Sequence, residues 1–215
     1  MQILSDEGNS KILLPCSEPM RIKHLFTHTS GFDYNYKDNS YFIEAVGADK
    51  NTRDVIRALA KSPLLFNPGS RWCYGFSHDI LAAVIEVVTG KLFSEVIRER
   101  LFEPLGMKSS YIGALSGVEK SKIAPQYKYD FISGKYHRIE TKNEFFFNEK
   151  YESGGAGLIS TSADMGKFVC AMSMGAKTCD GKRIIGERTI GELRRNRLSD
   201  IQMDDFFKWS QFKGY

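Results

Sequence analysis

Residues 68–79 read PGSRWCYGFSHD, and an apolar stretch, ILAAVIEVV, follows directly. Tyr74 therefore lies on a loop that runs straight into a helix destined for the interior. A phenol in that place is either packing or a proton-transfer group, and a proton-transfer group needs a nucleophile to serve. Ser-x-x-Lys occurs once, at Ser210–Lys213, two residues from the end of the sequence. A chain this rich in serine and lysine yields about one such match by chance, so it is set aside. Lys177-Thr178 opens like a Lys-Thr-Gly strand, but Cys179 replaces the glycine and Asp180-Gly181 makes a turn. No Gly-x-Ser-x-Gly elbow is present. His24 and His28 stand four apart, as metal ligands on a helix do. The glutamate of a His-Glu-x-x-His site is missing and no third ligand is evident, so both are read as structural.

The elements that must hold Tyr74 are mostly helical. RIKHLF gives a short helix stopped by THTSG, where Gly31 suits a positive φ. Asn51, three residues before Asp54, caps a helix whose face is Val55, Ile56, Leu59 and Ala60. Ile80, Leu81, Val84, Ile85 and Val88 recur at helical spacing to Gly90. Ala82, Ala83 and Val87 are apolar too, so this helix is expected to be buried nearly all round. A following helix turns Phe93, Val96, Ile97 and Leu101 inward and ends at Pro104. QYKYDFISGKYHRIE alternates around Ser133-Gly134 and predicts a β-hairpin. SGGAG then leads into a short extended piece and a helix whose start is capped by Ser162. The connections over 31–51 and 138–157 read as long loops. The fold class expected is mainly α with a minor β-hairpin.

Composition is that of a globular protein: 42% hydrophobic, 26% charged, net charge +4 over 215 residues. That charge is too small to imply nucleic acid, and RRNR at 194–197 reads as a solvated helix end. No apolar run approaches the ~20 residues of a membrane span, and the first residues lack the pattern of a signal peptide. Cys16, Cys73, Cys170 and Cys179 form no Cys-x-x-Cys. Free thiols are expected, which slightly favours a cytoplasmic setting.

Several segments together resemble the serine β-lactamase-like superfamily of class C β-lactamases, DD-peptidases and related esterases. RIKHLFTHTSGF resembles its HLLTHTSG signature, and FNPGSRWCYGFSHDILAAVIEVVTG resembles the block around its Tyr-x-Asn motif. RLFEPLGMKSSYI resembles its PLGM block. SGGAGLISTSADMGKF and GKRIIGERTIGEL resemble two further blocks. The five occur in family order over about residues 21–193. The resemblance implies the helical lobe, and part of the α/β lobe, of a β-lactamase/transpeptidase-like fold, as a single partial domain over 1–215.

It also implies a serine acyl-enzyme mechanism in which Tyr74 is the catalytic proton-transfer residue and Phe76 and Ser77 face the substrate. A free phenol titrates near ~10, and making it a base near ~7 takes about 4 kcal/mol. A lysine ammonium at ~4 Å, at an effective dielectric of ~20, supplies about that much. Phe76 stands where β-lactamases carry asparagine, and a phenyl ring offers no amide, which points toward the esterase-like branch. Ser77 either lends a hydroxyl locally or caps the helix from His78, with the cap favoured. The family's Ser-x-x-Lys and Lys-Thr-Gly or His-x-Gly elements have no counterpart in these residues, so the chain alone is expected to be inactive. The substrate implied is an ester, amide or β-lactam, with no cofactor and no metal. The alternative is a non-catalytic binding module built on the same fold.

Overall fold

The computed structural model describes residues 1–7, 10–35, 40–113, 122–139 and 148–211. Strands β1 (Gln2–Glu7) and β2 (Ser10–Pro15) form an antiparallel hairpin. Leu4 N donates to Leu64 O and Leu64 N to Gln2 O, so β1 also pairs in parallel with the Leu64 segment. Helices α1 (Ile22–Phe26), α2 (Ser40–Gly47) and α3 (Thr52–Leu59) come next. The long helix α4 (Ser77–Thr89) follows the Tyr74 loop. Then α5 (Phe93–Ile97) runs through a π-helical turn over Arg98–Phe102 into α6 (Glu103–Leu105). The remainder is β3 (Tyr111–Ile112), the hairpin β4 (Gln126–Asp130) and β5 (Lys135–Ile139), β6 (Leu158–Ile159) paired with β3, and helices α7 (Ser162–Ser173), α8 (Glu187–Leu193) and α9 (Asp200–Ser210).

The core that fixes the site is built from α2, α3 and α4. Phe42, Val55, Leu59, Leu64, Phe76, Ala83 and Tyr151 meet there, all at most 5% exposed. α3 starts as its sequence dictates: Asn51 Oδ1 accepts from Asp54 N at 3.1 Å. That satisfies one of the orphan amides of the first turn, and Val55, Ile56, Ala58 and Leu59 then point inward. Ala60, expected on that face, is exposed because the helix has already ended at Leu59. Gly31 takes φ +90° and Gly90 closes α4 at φ +70°, both as expected. α7 is capped one residue earlier than expected, by Thr161, whose Oγ1 accepts from Asp164 N. The Asp164 carboxylate in turn accepts from Ser109 N at 2.7 Å and Ser110 Oγ at 3.0 Å, tying α7 to the approach to β3.

Four expectations are corrected. Residues 31–51 are not one long loop, because α2 lies within them and buries Phe42 to 1% exposure. α4 is not apolar on every side. Val87 and Val88 near its end are exposed, while Asp79 and Glu86 are buried because each has hydrogen-bond donors waiting for it. On the following helix it is Phe102 that is buried, Leu101 being only half-buried. The β structure exceeds one hairpin, with three two-stranded antiparallel pairs among the described residues. The predicted hairpin itself is present, turning over 131–134 with Gly134 at φ +66°. No described helix is long and apolar enough to cross a membrane.

Candidate active site

Tyr74 sits on a loop laced to the His28–Ser30 segment. Gly69 N donates to Thr29 O at 2.7 Å, and Cys73 N to His28 O at 2.9 Å. Gly75 is obligatory for this approach: a Cβ there would lie 2.4 Å from Phe32 O and 2.5 Å from Asp33 Cα. From the other side α9 clamps the loop. Asp205 takes an ion pair from Arg71 through both oxygens and a hydrogen bond from Trp72 N at 3.1 Å. Gln202 Nε2 donates to Gly69 O at 2.7 Å.

The Tyr74 ring is held by aromatic neighbours, with centroids of His28 at 4.9 Å, Trp209 at 4.8 Å and Tyr34 at 5.4 Å. It remains 37% exposed and lines a groove of about 1340 Å³ together with Trp72, Phe206, Phe207, Trp209 and His28. The phenol thus borders an open groove that also carries the basic side chains Arg194, Arg195 and Arg197.

The two residues expected beside it against the substrate are elsewhere. Phe76 is fully buried, with its ring 4.7 Å from Tyr34 and 5.2 Å from Phe42, so it is core and turns no face to the groove. Ser77 is also fully buried. Its Oγ pairs with Ser30 Oγ at 2.8 Å, and it is the first residue of α4 rather than its cap. Burial and an existing partner remove it from both roles expected of it. Cys73, next to Tyr74, is no substitute nucleophile: burial, reinforced by the charges of Asp33 and Asp205, pushes its thiol up to about 11. Lys213 of the discarded Ser-x-x-Lys match lies outside the described residues.

Sequence reasoning missed a buried polar chain behind Tyr74. Tyr34, half-buried, sets its ring edge-on to that of Tyr74, with centroids 5.4 Å apart. Asp79, fully buried in the first turn of α4, accepts from Tyr151 OH at 2.9 Å and Ser153 Oγ at 2.5 Å, both on Oδ1. Its Oδ2 lacks a hydrogen bond of good geometry, although the Gly155 amide also pulls on the carboxylate. Burial raises the Asp79 carboxyl against the opposing pull of those donors. One cue was available: an aspartate beside an otherwise apolar helical run is an invitation to look for its partners.

His28 completes the surroundings, in a left-handed conformation at φ +54° and 4.3 Å from the His78 ring. Burial first, then the charge of His78, lowers its imidazole to about 4. Its Nδ1 is buried without a hydrogen bond. The unfolded chain takes up a proton here near pH ~6.5, whereas the native imidazole resists until about 4. Stability is therefore expected to fall as pH falls through that window. His28→Gln should flatten the dependence of the urea midpoint on pH between those limits; an unchanged slope would assign the acid sensitivity to other groups. Among the described residues no three His, Cys, Asp or Glu side chains converge as a metal site would require.

Residues 14–211 match the family model described as Beta-lactamase, and the chain belongs to that family. An uncharacterized protein of Mycobacterium tuberculosis is 26% identical over 201 residues, covering 92% of this chain and 49% of its own length. Esterase EstB of Burkholderia gladioli is 35% identical over 107 residues, covering 43% of this chain and 26% of its own. Among solved structures, unliganded simvastatin synthase (LovD) from Aspergillus terreus superposes with TM-score 0.76 at 19% identity, over 97% of this chain and 52% of that one. That likeness establishes the β-lactamase-like fold. The chain spans about half the length of the curated relatives that match most of it.

Proposed function

We propose that the whole protein is a serine hydrolase or acyltransferase that works through an acyl-enzyme, and that this chain carries its proton-transfer tyrosine, Tyr74. In acylation, a serine oxygen supplied by the rest of the protein bonds to the acyl carbonyl carbon as its proton passes to the Tyr74 oxygen. The proton then goes to the leaving alcohol or amine as the carbonyl–leaving-group bond breaks. In the second half, water or another alcohol gives its proton to Tyr74 as it attacks the acyl-enzyme, and the serine leaves with that proton.

The observation that supports this reading is the position of Tyr74: a partly exposed phenol on the wall of a large groove, fixed by ring contacts and by a loop tied down on two sides. The groove wall around Tyr74 is aromatic, through Trp72, Phe206 and Trp209, which favours an ester with an apolar acyl or alcohol part. Arg194, Arg195 and Arg197 on the same groove leave room for an anionic group on that substrate. Phe76 is buried and offers no amide-recognising group, and that weighs against a β-lactam or a peptide as the preferred substrate.

The test is covalent labelling read by intact mass. A fluorophosphonate should label the whole protein once, on a serine three residues before a lysine. The 215-residue chain alone should take up no label, because Ser30 and Ser77 are buried against each other and the Cys73 thiol stays protonated. A stoichiometric adduct on the chain alone would overturn this division of labour. Failure of the whole protein to react would favour the non-catalytic module instead.

A further inference from the structure

We propose that the hairpin of β4 and β5 is a membrane-contact element. Its Phe131–Ile132 tip enters the interfacial layer of an anionic bilayer, and the basic side chains behind the tip meet the lipid headgroups. The proposal stands apart from Tyr74 and does not rest on the acyl-enzyme reading.

Among the described residues β4 and β5 pair only with each other, as a separate two-stranded sheet, so both strands are edges. Residues directly opposite in an antiparallel pair share a face. Tyr127 lies opposite Arg138 and Tyr129 opposite Tyr136, which puts three phenols on one face. The Tyr129 ring is 5.0 Å from that of Tyr136 and meets Phe131 edge-on at 5.0 Å and 87°. The aromatic face thus continues into the turn. On the other face Lys128 lies opposite His137, and Asp130 opposite Lys135. Every residue of both strands is exposed except Asp130, which is half-buried. A lone two-stranded hairpin is marginal in water, and rings left in water contribute little of the burial that would stabilise it.

Turns favour Gly, Asn, Asp and Ser, for their local hydrogen bonds and their freedom in φ. Here Asp130, Ser133 and Gly134 fill that role. The Asp130 carboxylate accepts from Ile132 N at 3.0 Å and from Ser133 N at 3.3 Å, and Gly134 takes φ +66°. Phe131 and Ile132 have no such task. They are 89% and 98% exposed, and the braced turn holds them out side by side as an apolar tip.

The charge around the tip selects its partner. Between Lys122 and Ile139 the sequence has Lys122, Lys128, Lys135 and Arg138 against Asp130 alone. The Asp130 carboxylate is occupied by the turn. Among the described residues no ion pair holds Lys128, Lys135 or Arg138. An apolar tip backed by tyrosines and free cations matches a bilayer in depth order: hydrocarbon first, then the headgroup layer where phenols and cations both sit. A second copy of the hairpin fits worse, because pairing along its edges would set lysines near lysines. A rigid protein partner needs a pocket cut to the tip, whereas a lipid surface opens around it.

The experiment is flotation of the whole protein with two kinds of vesicle, phosphatidylcholine alone and phosphatidylcholine with about a third phosphatidylglycerol. Binding to the anionic vesicles is expected, weakening as salt rises to ~0.5 M. Phe131→Ser combined with Ile132→Ser should lower the partition coefficient by about 10-fold or more, through loss of the apolar area that enters the lipid. Lys128→Glu combined with Lys135→Glu should lower it by about as much on the anionic vesicles. Phe131→Trp should keep binding, with a new emission that shifts to the blue and is quenched by lipids brominated on the acyl chain. These side chains are exposed, so urea midpoints should match the wild type, which separates loss of binding from loss of fold. No binding to either vesicle, or binding that the serine pair leaves intact, overturns the proposal. So does a lipid-free dimer, seen by light scattering, that the serine pair abolishes, since the tip would then serve a second copy.

Discussion

Tyr74→Phe in the whole protein is expected to lower turnover of an apolar p-nitrophenyl ester by about 100-fold or more, equivalent to about 2.7 kcal/mol of transition-state stabilisation. The substitution removes one oxygen and leaves the ring, so the contacts with His28, Trp209 and Tyr34 that fix the loop survive. Global stability should change by no more than about 1 kcal/mol, the net worth of one hydrogen bond. The loss should fall on kcat, because the phenol acts on protons in flight rather than on the groove that binds the substrate. Steady-state kinetics beside a urea titration check both halves. Turnover within a few-fold of the wild type would make Tyr74 a packing residue, and the enzymatic reading would lose its main support.

The residues through which the sequence alone points to Tyr74 are local ones. The helical spacing that runs from Ile80 to Gly90 and the Asn51 cap are written in neighbouring positions, and the chain forms both helices there. What surrounds Tyr74 is not local. Asp205 reaches Arg71 from 134 residues away, and Tyr151 and Ser153 reach Asp79 across 72 and 74. No periodicity encodes such pairings.

The two residues assigned to the substrate by position beside Tyr74 failed for a related reason. Along a loop entering a helix, successive side chains point in different directions, so Phe76 and Ser77 are turned into the core while Tyr74 is turned out. α9 carries its own local signal. Ser199 and Gln202 form a capping box, Ser199 N donating to Gln202 Oε1 at 2.9 Å, and Phe206, Phe207 and Trp209 supply an apolar face. Nothing in those positions says that the face meets Trp72 and Tyr74, because that contact spans more than half the chain.

The glycines of SGGAG give the largest effect expected on stability, and they show why the turn reads as it does. A Cβ on Gly154 would sit 2.2 Å from His78 O and 2.9 Å from Ala82 Cβ. The obstacle is the backbone of the first turn of α4, which no rotamer change can move aside. Gly154→Ala must therefore push the turn off the helix, straining the bonds from Tyr151 and Ser153 to buried Asp79. A cost of about 3 kcal/mol or more is expected, at the upper end for overpacking.

Gly166 supplies the control. It lies inside α7, where an added Cβ would meet nothing within 4 Å, and it has no left-handed φ. Gly166→Ala should therefore stabilise by about 0.5–1 kcal/mol through helix propensity alone. Urea unfolding of both variants separates the cases. If Gly154→Ala unfolds within about 1 kcal/mol of the wild type, the turn is free to move away from α4, and the close packing that brings Tyr151 and Ser153 to Asp79 is not what holds this site.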